Sequence, residues 1–182
     1  MPSSTSSSDF ERRIPALPWR GITVGTSVMS DTLDATGPQG SMHLPPAVTS
    51  AYYAQWDIAK LHLAGEYWRT PVHLQVTFGP EVFPMPIDQR AWYPMASYEL
   101  TKKLQVGGYY SHYLKKAADW TQSQNYSKDW VISGRYNFNS NFYGKVEGHF
   151  LRGTALGYYE SINPNGLKPD TNMLAARIGF SF

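Results

Sequence analysis

The residues able to do chemistry in this chain are ionisable ones set inside runs of alternating apolar residues. Asp57, Glu66, Glu99 and Glu147 are the carboxylates so placed, and Arg135, Lys145 and Arg177 the bases. Drawn onto one wall, such groups select ions as a charged ring, or they pair across neighbouring strands and hold the wall itself. Arg135 and Glu147 flank the turn at Asn139, Ser140 and Asn141, and counting outward from it brings Arg135 nearly level with Lys145 and Glu147. Four acids against three bases make a mixed wall with no evident ion preference. The histidines at 43, 62, 73, 112 and 149 show no zinc spacing such as H-E-x-x-H. His62 and His149 read as polar wall residues, and neither a metal nor a cofactor is expected. A hydrolase would need a nucleophile activated by histidine. Ser111 and His112 are adjacent on a strand, so their side chains point to opposite faces. His149 and Ser133 can approach across neighbouring strands, but so serine-rich a chain produces one such coincidence by chance. No catalytic residue is expected.

These groups are carried by segments of period two. Strands are expected over roughly 20–29, 50–58, 61–69, 91–100, 103–114, 129–138, 142–151 and 173–182. Three connections are tight: Ala59-Lys60, Thr101-Lys102 and Asn139-Ser140-Asn141. Four are long, at 30–49, 70–90, 115–128 and 152–172, and they hold the clusters DATGPQG, FGPEVFPMP and INPNGLKPD. Long and short alternate strictly. Loops sorted by end characterise outer-membrane barrels, with short periplasmic turns and long external loops. Lys115 to Trp120 can form a turn of helix within its loop.

Parity sharpens the reading. Trp130, Ile132, Gly134, Tyr136 and Phe138 share a face that Arg135 does not. Phe142, Gly144, Val146, Gly148 and Phe150 oppose Lys145, Glu147 and His149. Leu174, Ala176, Ile178, Phe180 and Phe182 oppose Arg177. Asp57, His62, Glu66 and Glu99 obey the same rule on their strands. Chance places seven mid-strand charges on one side about one time in a hundred, because a single-residue slip flips every side chain. Arg69 and Arg90 break the rule at strand–loop junctions. A soluble barrel or sandwich buries its apolar face, whereas a membrane barrel turns it to lipid and wets the interior. The charged mid-strand positions and the aromatic residues near strand ends (Tyr52, Trp56, Trp92, Trp130, Phe138, Phe142 and Phe150) favour the second.

Composition agrees. Aromatic residues make up 15% of the 182-residue chain and charged residues only 16%, against about 25% in an ordinary soluble domain. There is no cysteine, which excludes disulfides and thiolate metal sites. The formal charge of +2, with basic residues scattered along the chain, argues against nucleic acid. Residues 1–19 hold PSSTSSS at 2–8 and IPALPW at 14–19. They read as a polar, disordered segment with no secretory signal pattern, ahead of a barrel region at 20–182.

The ending NMLAARIGFSF has apolar residues at every second position before a terminal Phe. It resembles the closing strand of Gram-negative outer-membrane barrels, which the barrel-assembly machinery reads, with Ile178, Phe180 and Phe182 as its signature. The hairpins AWYPMASYELTKKLQVGGYY and DWVISGRYNFNSNFYGKVEGHF resemble those of porins, nearest to the phosphate-selective porin O/P type and its relatives. The resemblance implies a homotrimer of up-and-down transmembrane β-barrels, each with roughly sixteen strands, in contact with outer-membrane lipid and passing small hydrophilic solutes or ions. Phosphate selectivity in that family rests on a basic, often lysine-rich constriction. No such cluster can be matched by sequence, so that specificity is not implied. About eight strands are present here, and eight nearly fill their own interior. The chain is therefore expected to be the C-terminal half of a longer barrel. The competing expectation is a self-contained eight-stranded barrel whose external loops bind ligands or partners.

Overall fold

The structure, a computed structural model, describes residues 21–38, 40–156 and 167–180. Residues 1–19 and Phe182, which carried sequence expectations, lie outside these. One antiparallel sheet contains β1 (Ile22–Gly37), β2 (Gly40–Ile58), β3 (Leu61–Phe78), β4 (Glu81–Glu99), β5 (Leu104–Leu114), β6 (Tyr126–Asn137), β7 (Phe142–Arg152) and β8 (Asp170–Phe180). Spatial order follows sequence order from β1 to β8. This is an all-β, antiparallel up-and-down sheet, open between β1 and β8 among the described residues.

All eight expected strands are present, but two expected loops are not loops. Residues 30–49 and 70–90 continue the ladder. β1 to β4 run 16, 19, 18 and 19 residues, against 11 or 12 in β5 to β8. Their Gly and Pro residues mark tight tips and tolerated interruptions rather than irregular chain. Gly79, at φ 59°, turns the β3–β4 hairpin. A register shift between Asp31 and Leu33 sits opposite Pro45 and Pro46, and β2 leaves β3 between His43 and Ser50. Proline lacks the N–H a central ladder needs. Pro94 shares a parity with Pro84 and Pro86, and the β4–β5 ladder skips it, pairing Trp92 with His112 and next Met95 with Tyr109. Beyond Arg90, which pairs with Leu114, β5 has ended. Pro84 and Pro86 therefore face an edge where no partner is missed.

Connections at the opposite end are all short. Phe138 N–H donates to the Phe142 carbonyl at 2.9 Å, and Asn141 N–H to Asn139 Oδ1 at 2.9 Å. The loop between β5 and β6 carries two short 3-10 turns, Ala117–Asp119 and Ser123–Asn125, the first where the sequence suggested helical geometry.

The sheet hides the wrong face for a protein in water. Among the described residues only Ala47 and Val131 are buried apolar residues. Along β6 exposure alternates: Ser127, Asp129 and Val131 are buried, while Trp130 is 63% and Ile132 65% exposed. Leu174, Ile178 and Phe180 are likewise open, and so are Val106, Tyr136, Val146 and Phe150. Two buried apolar side chains cannot offset the ordering entropy of a chain this long in water. The apolar face needs an apolar solvent.

Candidate functional site: a charged inner wall

Register joins the exposed apolar residues into one continuous band. Tyr67 faces Trp92, Leu63 faces Ala96, Val106 faces Gly134, Gly134 faces Val146, and Val146 faces Ala176. All seven aromatic residues picked from sequence as a girdle lie on this face. Six of them are exposed, and Phe142 is half-buried. They collect at both margins. Tyr136, Phe138 and Phe142 stack near the tight turns, with ring centroids 5.2 and 5.0 Å apart. Trp92, Tyr110 and Trp130 stack towards the other end, at 5.1 and 4.6 Å. Ile178 and Phe180 of β8 belong to the same face.

The opposite face holds every ionisable residue picked from the sequence: His62, Glu66, Arg135, Lys145, Glu147 and His149, which are half-buried, and Asp57, Glu99 and Arg177, which are exposed. It does not mix them evenly. Asp57, Glu66 and Glu99 sit on β2, β3 and β4, whereas all three bases sit on β6, β7 and β8. Arg135 pairs in register with Lys145, and Lys145 with Arg177. Three cations therefore stand in one row across three adjacent strands, each directly opposite the next, an arrangement that repels.

Each cation is handled differently. Lys145 Nζ lies 2.7 Å from Glu147 Oε1. The Arg135 guanidinium lies 3.8 Å above the Tyr143 ring, a cation–π contact, and its Nε donates to Asn137 Oδ1 at 3.0 Å. Tyr143 is in turn laid over Gly179, where a Cβ would meet the ring at 2.1 Å. Gly179 thus seats Tyr143, which seats Arg135. No hydrogen bond or ion pair joins Arg177 to another described residue. All three bases line a cavity of about 280 Å³ together with His62, Ser97 and Gln105, with walls drawn from β3 to β8. That so many strands share one cavity means the sheet curls towards its polar face.

Other groups pair locally. His62 Nδ1 contacts Asp57 Oδ1, and His149 Nδ1 lies 2.7 Å from Asp129 Oδ2. The Ser133 hydroxyl donates to the Gly107 carbonyl at 3.3 Å rather than to His149. Sequence reasoning missed Asp129 because it fell on a strand boundary. It also described the bases as scattered. They are scattered along the chain, but the ladder brings them level. The nearly level placement of Arg135 and Lys145 was the available signal, and Arg177 joins only through the β7–β8 register.

The two bases that broke parity, Arg69 and Arg90, face each other in register. Both grip Asp88 on the long β3–β4 extension. Arg69 donates through Nε at 2.9 Å and Nη2 at 3.1 Å, and Arg90 donates to Asp88 Oδ2. Hydrogen bonds from Arg90 and then Arg69 hold the Asp88 carboxyl down at about 2.

No family model matches the chain, and no curated protein does. Among solved structures, the chain is similar to OmpT, described as an in-vitro folded outer membrane protein of Vibrio cholerae. The TM-score is 0.58 at 15% identity, over 94% of this chain and 53% of that one. The chain thus spans about half the length of the structure it matches, and what the likeness shows is an outer-membrane β-barrel fold.

Proposed function

We propose that the chain forms part of a passive channel in a bacterial outer membrane, admitting small hydrophilic solutes or ions past the polar face. The observation carrying this reading is the inversion of the sheet: one side is apolar and largely exposed, and the other holds the charges, most of them half-buried. In a bilayer every backbone polar group must be paired internally, so β1 and β8 need strand partners. Eight strands that overlay half of a larger barrel support a wall of roughly sixteen strands, the size range in which an aqueous lumen opens. The fold resemblance supports delivery by the barrel-assembly machinery through the terminal strand. A trimer remains an expectation of the porin resemblance.

The mechanism needs no bond-making step, and in this reading the chain is not an enzyme. Solutes cross a wall that is negative on β2 to β4 and carries a positive row on β6 to β8. The row Arg135, Lys145 and Arg177 draws anions to its height, because rings of arginine and lysine favour them. That row also supports the narrower likeness to phosphate-selective porins. Planar-bilayer recording tests the reading. Discrete conductance steps are expected, and R135Q/K145Q/R177Q shifts the reversal potential towards cations. A membrane-inserted product without conductance steps defeats the channel. That outcome would leave the binding-module reading, which the raised hairpins of β1 to β4 favour through exposed Phe78, Val82 and Phe83.

A further inference from the structure

The apolar face ends in a repeated pattern. On β3 the last outward aromatic residue, Tyr67, is followed two positions further from the tight turns by Arg69. On β4 Trp92 is followed in the same direction by Arg90, on β5 Tyr110 by His112, on β6 Trp130 by Lys128, and on β7 Phe150 by Arg152. Register confirms one face throughout, since Tyr67 pairs with Trp92, Arg69 with Arg90, Trp130 with Phe150, and Lys128 with both His112 and Arg152. Five adjacent strands thus present aromatic then base, in that order, at the margin of the apolar band.

We propose that this collar binds the phosphate groups of an anionic lipid in the leaflet at the long-hairpin end. The inference rests on the membrane reading above but concerns the outer surface, not the channel wall. An aromatic ring marks the boundary between acyl chains and headgroups, and the next outward residue, about 6–7 Å along the strand, reaches the headgroup layer. Basic side chains there meet phosphate with complementary charge. The collar's own carboxylates do not cancel it. Asp88 serves both Arg69 and Arg90, and Asp170 lies 3.6 Å from Arg152. Among the described residues Lys128 is held only over the Tyr126 ring, at 4.8 Å. Among the described residues, four cations against two carboxylates leave a positive surplus, and shared guanidiniums keep donors free for a bidentate phosphate contact.

The test reconstitutes the full chain into phosphatidylcholine vesicles with and without phosphatidylglycerol. Vesicle flotation reports insertion, and the urea midpoint of sheet loss reports stability. The anionic lipid is expected to raise the folding equilibrium by about fivefold for each uncompensated cation. High salt removes the gain, and free inorganic phosphate does not reproduce it. R69Q/R90Q/K128Q/R152Q loses the gain, while K60Q/K102Q/K103Q, at the tight-turn end, keeps it. Should the quadruple variant not fold, K128Q/R152Q must lose a substantial share. A chain that floats yet gains nothing from phosphatidylglycerol, or a collar variant that gains as much as the parent, overturns the collar alone. A chain that never floats overturns the membrane reading and the collar with it.

Discussion

Replacing Val146 with lysine separates lipid from water as the solvent of the apolar face. Val146 is 51% exposed and lies on β7, midway between Phe142 and Phe150. Four residues at about 3.4 Å each, on a strand tilted by roughly 40°, put either aromatic about 10 Å away in depth. A lysine stem of roughly 6 Å cannot snorkel that far. In a bilayer the substitution is expected to cost about 2–4 kcal/mol, the range for a base at the midplane of a barrel's lipid face. That is roughly 30- to 900-fold in the folding equilibrium. On a water-exposed surface the same change stays within about 0.5 kcal/mol. Ala175→Lys is the matched control. Ala175 is half-buried, sits on the polar face and pairs in register with Glu147, so the new cation meets a carboxylate and costs little. Urea titration of both variants in lipid vesicles, followed by tryptophan emission, measures the difference. Equal costs for V146K and A175K, or a V146K cost below about 0.5 kcal/mol, would refute the assignment of faces.

Further outcomes follow from the paired charges and the seated rings. Asp88 titrates at about 2 in the folded chain against an ordinary 3.8. Its folded value is the lower one, so its contribution is complete above about pH 4 and is lost as pH falls through 2. Hydrogen-exchange protection of the β3–β4 extension should hold from neutral pH to about 4 and then decline; Asp88→Asn should weaken it at neutral pH already, and a decline starting near pH 6 would contradict the pairing. Gly179→Ala drives the Tyr143 ring aside and frees Arg135, so it should change the reversal potential in the same direction as Arg135→Gln but by less; no change would mean that Tyr143 does not position Arg135. Gly153, at φ 88° with a Cβ position 2.1 Å from the Tyr126 carbonyl oxygen, should tolerate alanine poorly, by about 1 kcal/mol or more in urea titration.

Strand existence and facing were legible because period-two alternation is a local signal. One residue of slip would have put Arg135, Glu147 and Arg177 among the aromatic residues. What escaped was whatever depends on pairing. DATGPQG and FGPEVFPMP look like loops one residue at a time. Pro38 and Pro80 nonetheless fall at the hairpin tips, Pro84 and Pro86 along an edge without a neighbour and Pro45 and Pro46 opposite a bulge, where a missing N–H costs little, so the hairpins continue. The basic row was hidden for the same reason. Arg135 and Lys145 are ten positions apart and Arg177 lies beyond a long connection, yet two strand registers make them neighbours. Arg69 and Arg90 broke the parity rule because the rule ends where the apolar band ends. Asp88, which binds both, sat in a segment read as loop.

The inversion of the sheet is tested most directly by single-tryptophan chains in vesicles of brominated phospholipid. Trp130, on the apolar face, and Trp68, of opposite parity on β3, each become the sole reporter after the other tryptophans are changed to phenylalanine. Bromine on the acyl chains should quench Trp130 strongly and Trp68 weakly, and aqueous iodide should do the reverse. Trp130 emission unaffected by the brominated chains, or quenched by iodide as readily as Trp68, would contradict the account.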